Sequence, residues 1–135
     1  MSPENLNLSA GAKGVLLCID DAVPVLEVLT FVLEESGYSV LVAPSGRFGL
    51  EIFRANEVDL VILDHEMPDM TGQEVAEEMR RLKPTVPIIM HSAAAGLSHA
   101  ALKSVDAFVV KGTSYRPLVS EIAQVITASR KQIPA

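Results

Sequence analysis

Three acidic residues, a serine and a lysine follow apolar runs along this chain. Asp20 and Asp21 come after the run at 15–19, Asp64 after 60–63, Ser92 after 87–91 and Lys111 after 107–110. Apolar runs of this length are typical of parallel strands that are buried on both faces. Because the carboxyl ends of parallel strands meet at one edge of a sheet, we expect these side chains to gather there.

Such a group of side chains favours a magnesium-dependent phosphoryl site. Three carboxylates repel one another unless a cation lies among them, and oxygen ligands suit Mg²⁺. The ammonium group of Lys111 suits phosphoryl oxygens, and the hydroxyl of Ser92 adds a hydrogen-bond donor. In-line transfer of a phosphoryl group onto Asp64 needs this set of groups. The plainer alternative for Asp20 and Asp21 is that they only cap the helix that follows them.

The elements that would position these residues alternate between strand and helix. We predict five strands, over 15–20, 38–42, 59–64, 87–91 and 107–110. Apolar residues at three- and four-residue spacing predict a first helix that buries Val25, Val28, Leu29, Val32 and Leu33, and further helices over 46–56, 72–82, 93–102 and 115–129. The helix over 93–102 has small residues and no deep apolar face, so we expect it to be the most mobile element.

This alternation predicts an α/β fold of the flavodoxin-like, doubly wound (βα)5 type. The sheet would be five-stranded and parallel, with the strand order 2-1-3-4-5 and right-handed crossovers. In that order, strands one and three lie side by side. Asp20, Asp21 and Asp64 would then meet at the point where the strand order reverses.

The composition indicates a single domain. Of the 135 residues, 49% are hydrophobic, which is enough for a core. We expect a disordered lead-in over 1–13, the domain over 14–130 and a short tail over 131–135. No apolar run approaches the ~20 residues that span a bilayer, and the net charge of -6 argues against direct nucleic-acid binding. Cys18 is expected to be a buried filler, and a lone cysteine fits a cytoplasmic location.

The loop after Asp64 makes the chain resemble a known family. Its sequence is Asp64-His65-Glu66-Met67-Pro68-Asp69-Met70-Thr71-Gly72. With Asp20-Asp21, Ser92-Ala93 and Lys111, it resembles the receiver domain of two-component response regulators over about residues 14–130. The resemblance implies that Asp64 takes a phosphoryl group from a histidine kinase or phosphotransfer protein. It also implies a Mg²⁺ site formed by Asp20, Asp21, Asp64 and the backbone carbonyl of Glu66, with Lys111 on the phosphoryl oxygens.

The resemblance further implies a conformational switch. Ser92 would bond to the phosphoryl group and Phe108 would rotate inward, with Ala93 as the small residue beside Ser92. These movements would reshape the face of the fourth helix, fifth strand and fifth helix, where a downstream protein or a second phosphorylated copy docks. Such a receiver is a phosphoacceptor rather than an enzyme, although it catalyses its own phosphotransfer and dephosphorylation. We expect a stand-alone receiver of the chemotaxis-regulator type, without direct contact to nucleic acid or membrane.

The chain departs from the family pattern at Gly112 and Phe108, and Glu66 is a further variation close to Asp64. The family usually has a proline, commonly with a cis bond, after the lysine, where this chain has Gly112. A cis bond to a non-proline residue costs ~2.5–4 kcal/mol, so we predict a trans bond and a looser loop. Phe108 lacks the hydroxyl of the tyrosine often found there. The side chain of Glu66 is expected to overhang the phosphoryl site, and we hypothesise that it sets the lifetime of the phosphorylated state.

Other functions remain open at this point. A receiver-like interaction module that is never phosphorylated is compatible with Gly112. A phosphohydrolase of the haloacid dehalogenase type is suggested by Asp64-x-Glu66, but that family has its nucleophile on the first strand. A flavodoxin needs a phosphate-binding loop after the first strand, where this chain has two acids. A zinc site of His65, His91 and His99 is disfavoured because no pair has helical ligand spacing, and strand alternation directs His65 and His91 away from Asp64 and Ser92.

Overall fold

The computed structural model describes residues 13–94 and 96–131, and strand and helix alternate throughout them. The strands are β1 (Val15–Ile19), β2 (Ser39–Ala43), β3 (Leu60–Leu63), β4 (Ile88–Ser92) and β5 (Ala107–Val110). The helices are α1 (Val23–Glu35), α2 (Gly46–Ala55), α3 (Gly72–Leu82), α4 (His99–Leu102) and α5 (Arg116–Lys131). The lead-in predicted over 1–13 and the tail predicted over 131–135 lie, apart from Lys13 and Lys131, outside the described residues.

The strands form one parallel sheet in the order β2-β1-β3-β4-β5, so the predicted flavodoxin-like fold is confirmed. At the carboxyl end of β1, Ile19 lies opposite Ala43 on one side and Leu63 on the other. Leu63 in turn lies opposite Met90 of β4. The strands therefore end at nearly the same level, and the residues that follow β1 and β3 emerge side by side.

Alternate strand residues face two aliphatic cores, one on each side of the sheet. The first core joins the strands to α2 and α3 and includes Leu17, Ile19, Leu63, Phe53 and Met79. The second joins them to α1 and α5 and includes Leu16, Ile62, Leu29, Leu33 and Ile122. Cys18 is fully buried in the second core, as predicted. Burial, with a further contribution from Asp20, raises the pKa of its thiol to about 12, so it is an unreactive filler.

Two predictions about the helices are wrong. The helix predicted over 93–102 is confined to His99–Leu102. Gly96 has a φ of +84°, which lies outside the right-handed helical region, and the hydroxyl of Ser98 accepts from the Ala101 amide at 3.1 Å to cap a helix that begins only at His99. Val28 of α1 is 43% exposed, because the leucines of α1 already fill the face that packs on the sheet.

The last helix, α5, begins at Arg116 and ends at Lys131, against the predicted range of 115–129. Among the described residues, no helix combines the length and apolar character needed to cross a bilayer.

Candidate functional site

The ends of the strands hold the main chain of the site residues in place. The amide of Asp20 donates to the carbonyl of Ala43 at 3.1 Å, and the amide of Asp64 donates to that of Ile19 at 2.9 Å. The amide of Lys111 donates to the carbonyl of Ser92 at 2.9 Å. Because these bonds continue the sheet ladder by one residue, each side chain starts from a fixed backbone position.

The three acids converge at the edge of the sheet. One carboxylate oxygen from each of Asp20, Asp21 and Asp64 lies within 4.8 Å of the other two. Asp20 and Asp64 are buried, whereas Asp21 is exposed. The carboxylate of Asp20 is oriented by the Ala22 amide, which donates to Oδ1 at 2.9 Å. The site therefore has a buried floor and one acid that opens to solvent.

Lys111 follows β5, which is separated from β3 by one strand, and its side chain contacts both buried acids. Its Nζ lies 2.6 Å from Oδ2 of Asp20 and 3.3 Å from Oδ1 of Asp64. Burial disfavours the charged form of Lys111, but the hydrogen bond and charge of Asp20, together with Asp64, outweigh burial and raise the pKa of the ammonium group. The lysine is therefore a cation that offsets part of the negative charge of the site.

The surroundings of Asp64 disfavour the charged form of its carboxyl group. Burial raises the pKa of its carboxyl group, and the charge of Asp20 raises it further, while Lys111 partly lowers it. A carboxylate with little hydration and a neighbouring negative charge gains from an additional cation. The electrostatics of the cluster thus favour a divalent ion.

The donor set fits Mg²⁺. All three clustered side chains are carboxylates, the hard oxygen ligands that Mg²⁺ prefers, and the exposed side of the site leaves room for water ligands. Within residues 13–94 and 96–131, no histidine joins a cluster of metal-ligating side chains.

Ser92 and Phe108, the predicted switch residues, lie in the neighbouring strands β4 and β5. Ser92 is buried, and its hydroxyl accepts from the amide of Ala94 at 3.2 Å. Phe108 is half-buried and packs against the core of α2 and α3. Glu66 is exposed in the β3–α3 loop, residues 64–71. The side chain of Lys111 contacts those of Asp20 and Asp64 directly, whereas the side chains of Ser92, Phe108 and Glu66 form no hydrogen bond with these three side chains.

The loop after Lys111 agrees with one expectation for Gly112. The described residues contain no cis peptide bond, so the predicted trans bond between Lys111 and Gly112 is confirmed. A Cβ at Gly112 would meet no atom within 4 Å, which shows how little packs against this loop.

His91 lies on the α1 and α5 side of the sheet. Its ring centroid is 6.2 Å from that of Tyr115, at the start of α5. Burial, followed by the charge of Lys111, lowers its pKa to about 4, although Asp20 opposes this shift. His91 is therefore a neutral side chain beneath the loop that carries Lys111.

Sequence reasoning missed the parts played by Asp69 and Gly72. The carboxylate of Asp69 accepts from the amides of Gly46 and Arg47 at the start of α2, at 3.2 and 2.9 Å. A Cβ at Gly72 would lie 2.5 Å from the carbonyl oxygen of Asp64, so only glycine lets α3 begin this close to the site. Both residues stand in the loop motif, but their partners are distant in sequence and only the fold reveals them.

Comparison with known proteins agrees with the motif. The model for the response regulator receiver domain matches residues 16–123. Among curated proteins, the response regulator SaeR of Staphylococcus aureus is 29% identical over 119 residues, which are 86% of this chain and 52% of SaeR. The chain thus spans about half the length of the curated relatives it matches.

Solved structures show the same fold. A CheY-like receiver domain protein from Methanospirillum hungatei superposes with a TM-score of 0.84 at 29% identity, covering 88% of this chain and 98% of that one. The response regulator TrrA from Thermotoga maritima, in complex with Mg²⁺ and BeF, gives 0.80 at 34% identity, covering 82% and 97%. TrrA in complex with the histidine kinase ThkA gives 0.78 at 33% identity with the same coverage.

Proposed function

This chain belongs to the response regulator receiver domain family, and on that premise we propose that it is a phosphoacceptor in a two-component phosphorelay. Receiver domains are signalling domains rather than classical enzymes. In this proposal Asp64 accepts the phosphoryl group from a phosphohistidine on a histidine kinase or phosphotransfer protein. The complex of TrrA with a histidine kinase supports this class of partner.

One observation carries the proposal. Carboxylates from two neighbouring strands converge within 4.8 Å, and the ammonium group of Lys111 contacts both buried members. A stable fold gains little from two buried acids, since each must be desolvated. The arrangement is understandable if the acids hold a cation next to a nucleophilic oxygen.

The chain's own groups have distinct roles in the proposed transfer. A carboxylate oxygen of Asp64 attacks the phosphorus atom while the P–N bond breaks, and the imidazole nitrogen keeps the electron pair and takes up a proton. Lys111 moves its charge from the carboxylates to the phosphoryl oxygens, for which its flexible stem is suited. Asp20, Asp21, Asp64 and the backbone carbonyl of Glu66 would hold Mg²⁺, which neutralises the charge that builds up on the phosphoryl oxygens. The complex of TrrA with Mg²⁺ and BeF supports this choice of metal.

In this proposal, Ser92 and Phe108 transmit the change at the phosphoryl site to the protein surface. When the hydroxyl of Ser92 turns to the phosphoryl group, it gives up its bond with the Ala94 amide, and space opens into which Phe108 rotates. The affected surface is the face of α4, β5 and α5, where Val110 is already 49% exposed. We propose this face as the docking surface for a downstream protein or a second phosphorylated copy.

Acetyl phosphate tests the proposal directly. The purified chain is incubated with acetyl phosphate and Mg²⁺, and its intact mass is measured over time. We expect a gain of one phosphate that requires Mg²⁺ and is lost in Asp64→Ala. Asp59→Ala is the matched control, because it removes a carboxylate at the opposite end of the same strand and should leave phosphorylation intact.

Each other outcome points to a different function. If the wild-type chain gains no phosphate under any condition, the proposal is wrong and the unphosphorylated interaction module takes its place. Rapid turnover of many phosphoesters without a stable phosphorylated species would instead support the phosphohydrolase. A phosphate retained in Asp64→Ala would move the acceptor to another residue.

A further inference from the structure

The β3–α3 loop is anchored at its base by main-chain hydrogen bonds. At its start the amide of Asp64 donates to the carbonyl of Ile19, and at its end the amide of Gly72 donates to the carbonyl of His65 at 2.7 Å. Between these points the loop runs beyond the sheet, with Glu66 exposed. Bonds at the base alone leave the tip of a loop free to move, so a proposed metal ligand on the loop needs another contact.

Asp69 provides that contact by closing the first turn of α2. Its Oδ1 accepts from the amide of Gly46 at 3.2 Å, and its Oδ2 accepts from the amide of Arg47 at 2.9 Å. The hydroxyl of Ser45 accepts from the next amide, that of Phe48, at 3.2 Å. The first amides of a helix have no partner within it, and the positive end of the helix favours an anion. The Arg47 bond, foremost among several, lowers the pKa of Asp69, so its carboxylate stays charged.

The helix to which Asp69 binds is itself packed onto the strand that precedes Asp20. A Cβ at Gly49 would lie 2.4 Å from Cδ1 of Ile19, so α2 and β1 pack closely against each other at this glycine. A Cβ at Gly46 would lie 2.8 Å from the side chain of Val75. The start of α2 is thus fixed against both β1 and α3.

We infer that Asp69 is a positioning residue for the metal site. By binding the β3–α3 loop to α2, it holds the main chain at Glu66 in register with Asp20 and Asp64, although it does not reach the acids itself. The inference rests on the proposed Mg²⁺ site. Groups that orient metal ligands without touching the metal commonly contribute roughly 10–100-fold to affinity.

Magnesium binding tests the inference on the full chain. Mg²⁺ is titrated by calorimetry into the wild type, Asp69→Ala and Asp69→Asn. We expect roughly tenfold weaker binding in Asp69→Ala and a smaller loss in Asp69→Asn, whose amide oxygen still accepts one hydrogen bond. At saturating Mg²⁺ the rate of phosphorylation by acetyl phosphate should return close to that of the wild type, because the nucleophile is untouched.

Asp59→Ala is the matched control for this experiment. Oδ2 of Asp59 accepts from the amide of Val15 at 2.7 Å, so this variant also removes a carboxylate that binds a main-chain amide, but at the opposite edge of the sheet. It should lower the thermal stability and leave the Mg²⁺ affinity unchanged. Equal Mg²⁺ affinities in Asp69→Ala and the wild type would overturn the inference.

A measurement without metal separates this inference from the proposed function. Hydrogen exchange should show that the amides of Gly46 and Arg47 and those of the β3–α3 loop lose protection in Asp69→Ala and keep it in Asp59→Ala. If the wild type bound no Mg²⁺, the proposed function would fall, and the exchange data would still decide whether Asp69 holds the loop. Unchanged loop protection in Asp69→Ala would refute that role.

Discussion

The carboxyl edge of the sheet has two differently built flanks. On the α2–α3 flank, formed by α2, the β3–α3 loop and α3, the ends of the elements are bound to one another. At this edge Asp69 closes the start of α2, and at the opposite edge Nζ of Lys83 closes the end of the same helix by donating to the carbonyls of Phe53 and Asn56 at 2.6 and 2.9 Å. This flank carries the proposed nucleophile and metal ligands.

The β5 flank, formed by α4, β5 and the loop up to α5, is packed far less tightly. No residue of β5 is fully buried, and α4 has only four residues. Val110 is 49% exposed, and a Cβ at Gly112 would meet open space. The difference suggests a division of labour, because chemistry needs groups held in fixed geometry while a signalling surface needs elements that rearrange at low cost.

The largest expected effect on stability is the difference between two glycine-to-alanine variants, one on each flank. In Gly72→Ala the new Cβ would lie 2.5 Å from the Asp64 carbonyl oxygen and 2.8 Å from Cα of His65, so the backbone must shift. We expect a loss of about 2 kcal/mol in the free energy of unfolding. In Gly112→Ala the methyl group enters open space, and stability should stay within about 0.5 kcal/mol of the wild type.

Urea unfolding followed by far-UV circular dichroism measures both variants, since the chain has no tryptophan. Similar losses in Gly72→Ala and Gly112→Ala would contradict the contrast between the flanks. A large loss of stability confined to Gly112→Ala would mean that the β5 flank is the more tightly packed of the two.

A lower pH should reduce the stability of the fold through His91, which lies under the β5 flank. Its folded-state pKa is about 4, against an ordinary 6.5. As the pH falls below about 6.5, His91 becomes protonated in the unfolded chain but stays neutral in the folded chain. The free energy of unfolding therefore falls until the pH drops below the folded-state pKa of about 4. Between pH 7 and about pH 5 this group should account for a loss of about 1–2 kcal/mol.

Urea unfolding at both pH values, without Mg²⁺, measures this loss. His91→Leu should show a smaller loss than the wild type, while His99→Gln, at an exposed position, should behave like the wild type. Hydrogen exchange should show that the β5–α5 loop opens before the β3–α3 loop. The same pH dependence in His91→Leu and the wild type would show that other groups cause the acid sensitivity.

The sequence predicts the sheet and the site well for one physical reason. Apolar runs that end in polar residues reveal both the strands and the edge where their ends meet, and parallel topology then brings Asp20, Asp64 and Lys111 together. The burial of Cys18 follows from the same pattern. No detailed packing is needed for these conclusions, because they depend only on residue order and sheet geometry.

What the sequence does not reveal depends on contacts between distant residues or on competition between local signals. The bonds of Asp69 to α2 join residues more than twenty positions apart. The guanidinium of Arg80 similarly binds the carbonyl of Ser104 at 2.9 Å and the carboxylate of Asp106, joining α3 to the segment before β5. At the fourth helix, an alanine-rich segment favours helix, but the positive φ of Gly96 and the cap from Ser98 delay its start.

The smallest effect on stability, and the sharpest test of the α2–α3 flank, is expected at Glu66. Its side chain is exposed on a loop that is fixed at base and tip, so Glu66→Ala should change the free energy of unfolding by less than about 0.5 kcal/mol. On the hypothesis that the Glu66 side chain overhangs the phosphoryl group and orients the hydrolytic water, we expect the phosphorylated state of Glu66→Ala to live several times longer. Glu66→Asn should show a smaller change, since its amide still binds water.

The lifetime is measured by intact mass after acetyl phosphate has been removed, with Glu57→Ala as a control for the loss of an exposed acid at the far edge of the sheet. An unaltered lifetime in both Glu66 variants would remove the hypothesis. A changed lifetime accompanied by a large loss of stability would mean that Glu66 helps to hold the loop. In that case the fixed geometry of this flank would depend on more than Asp69 and Gly72.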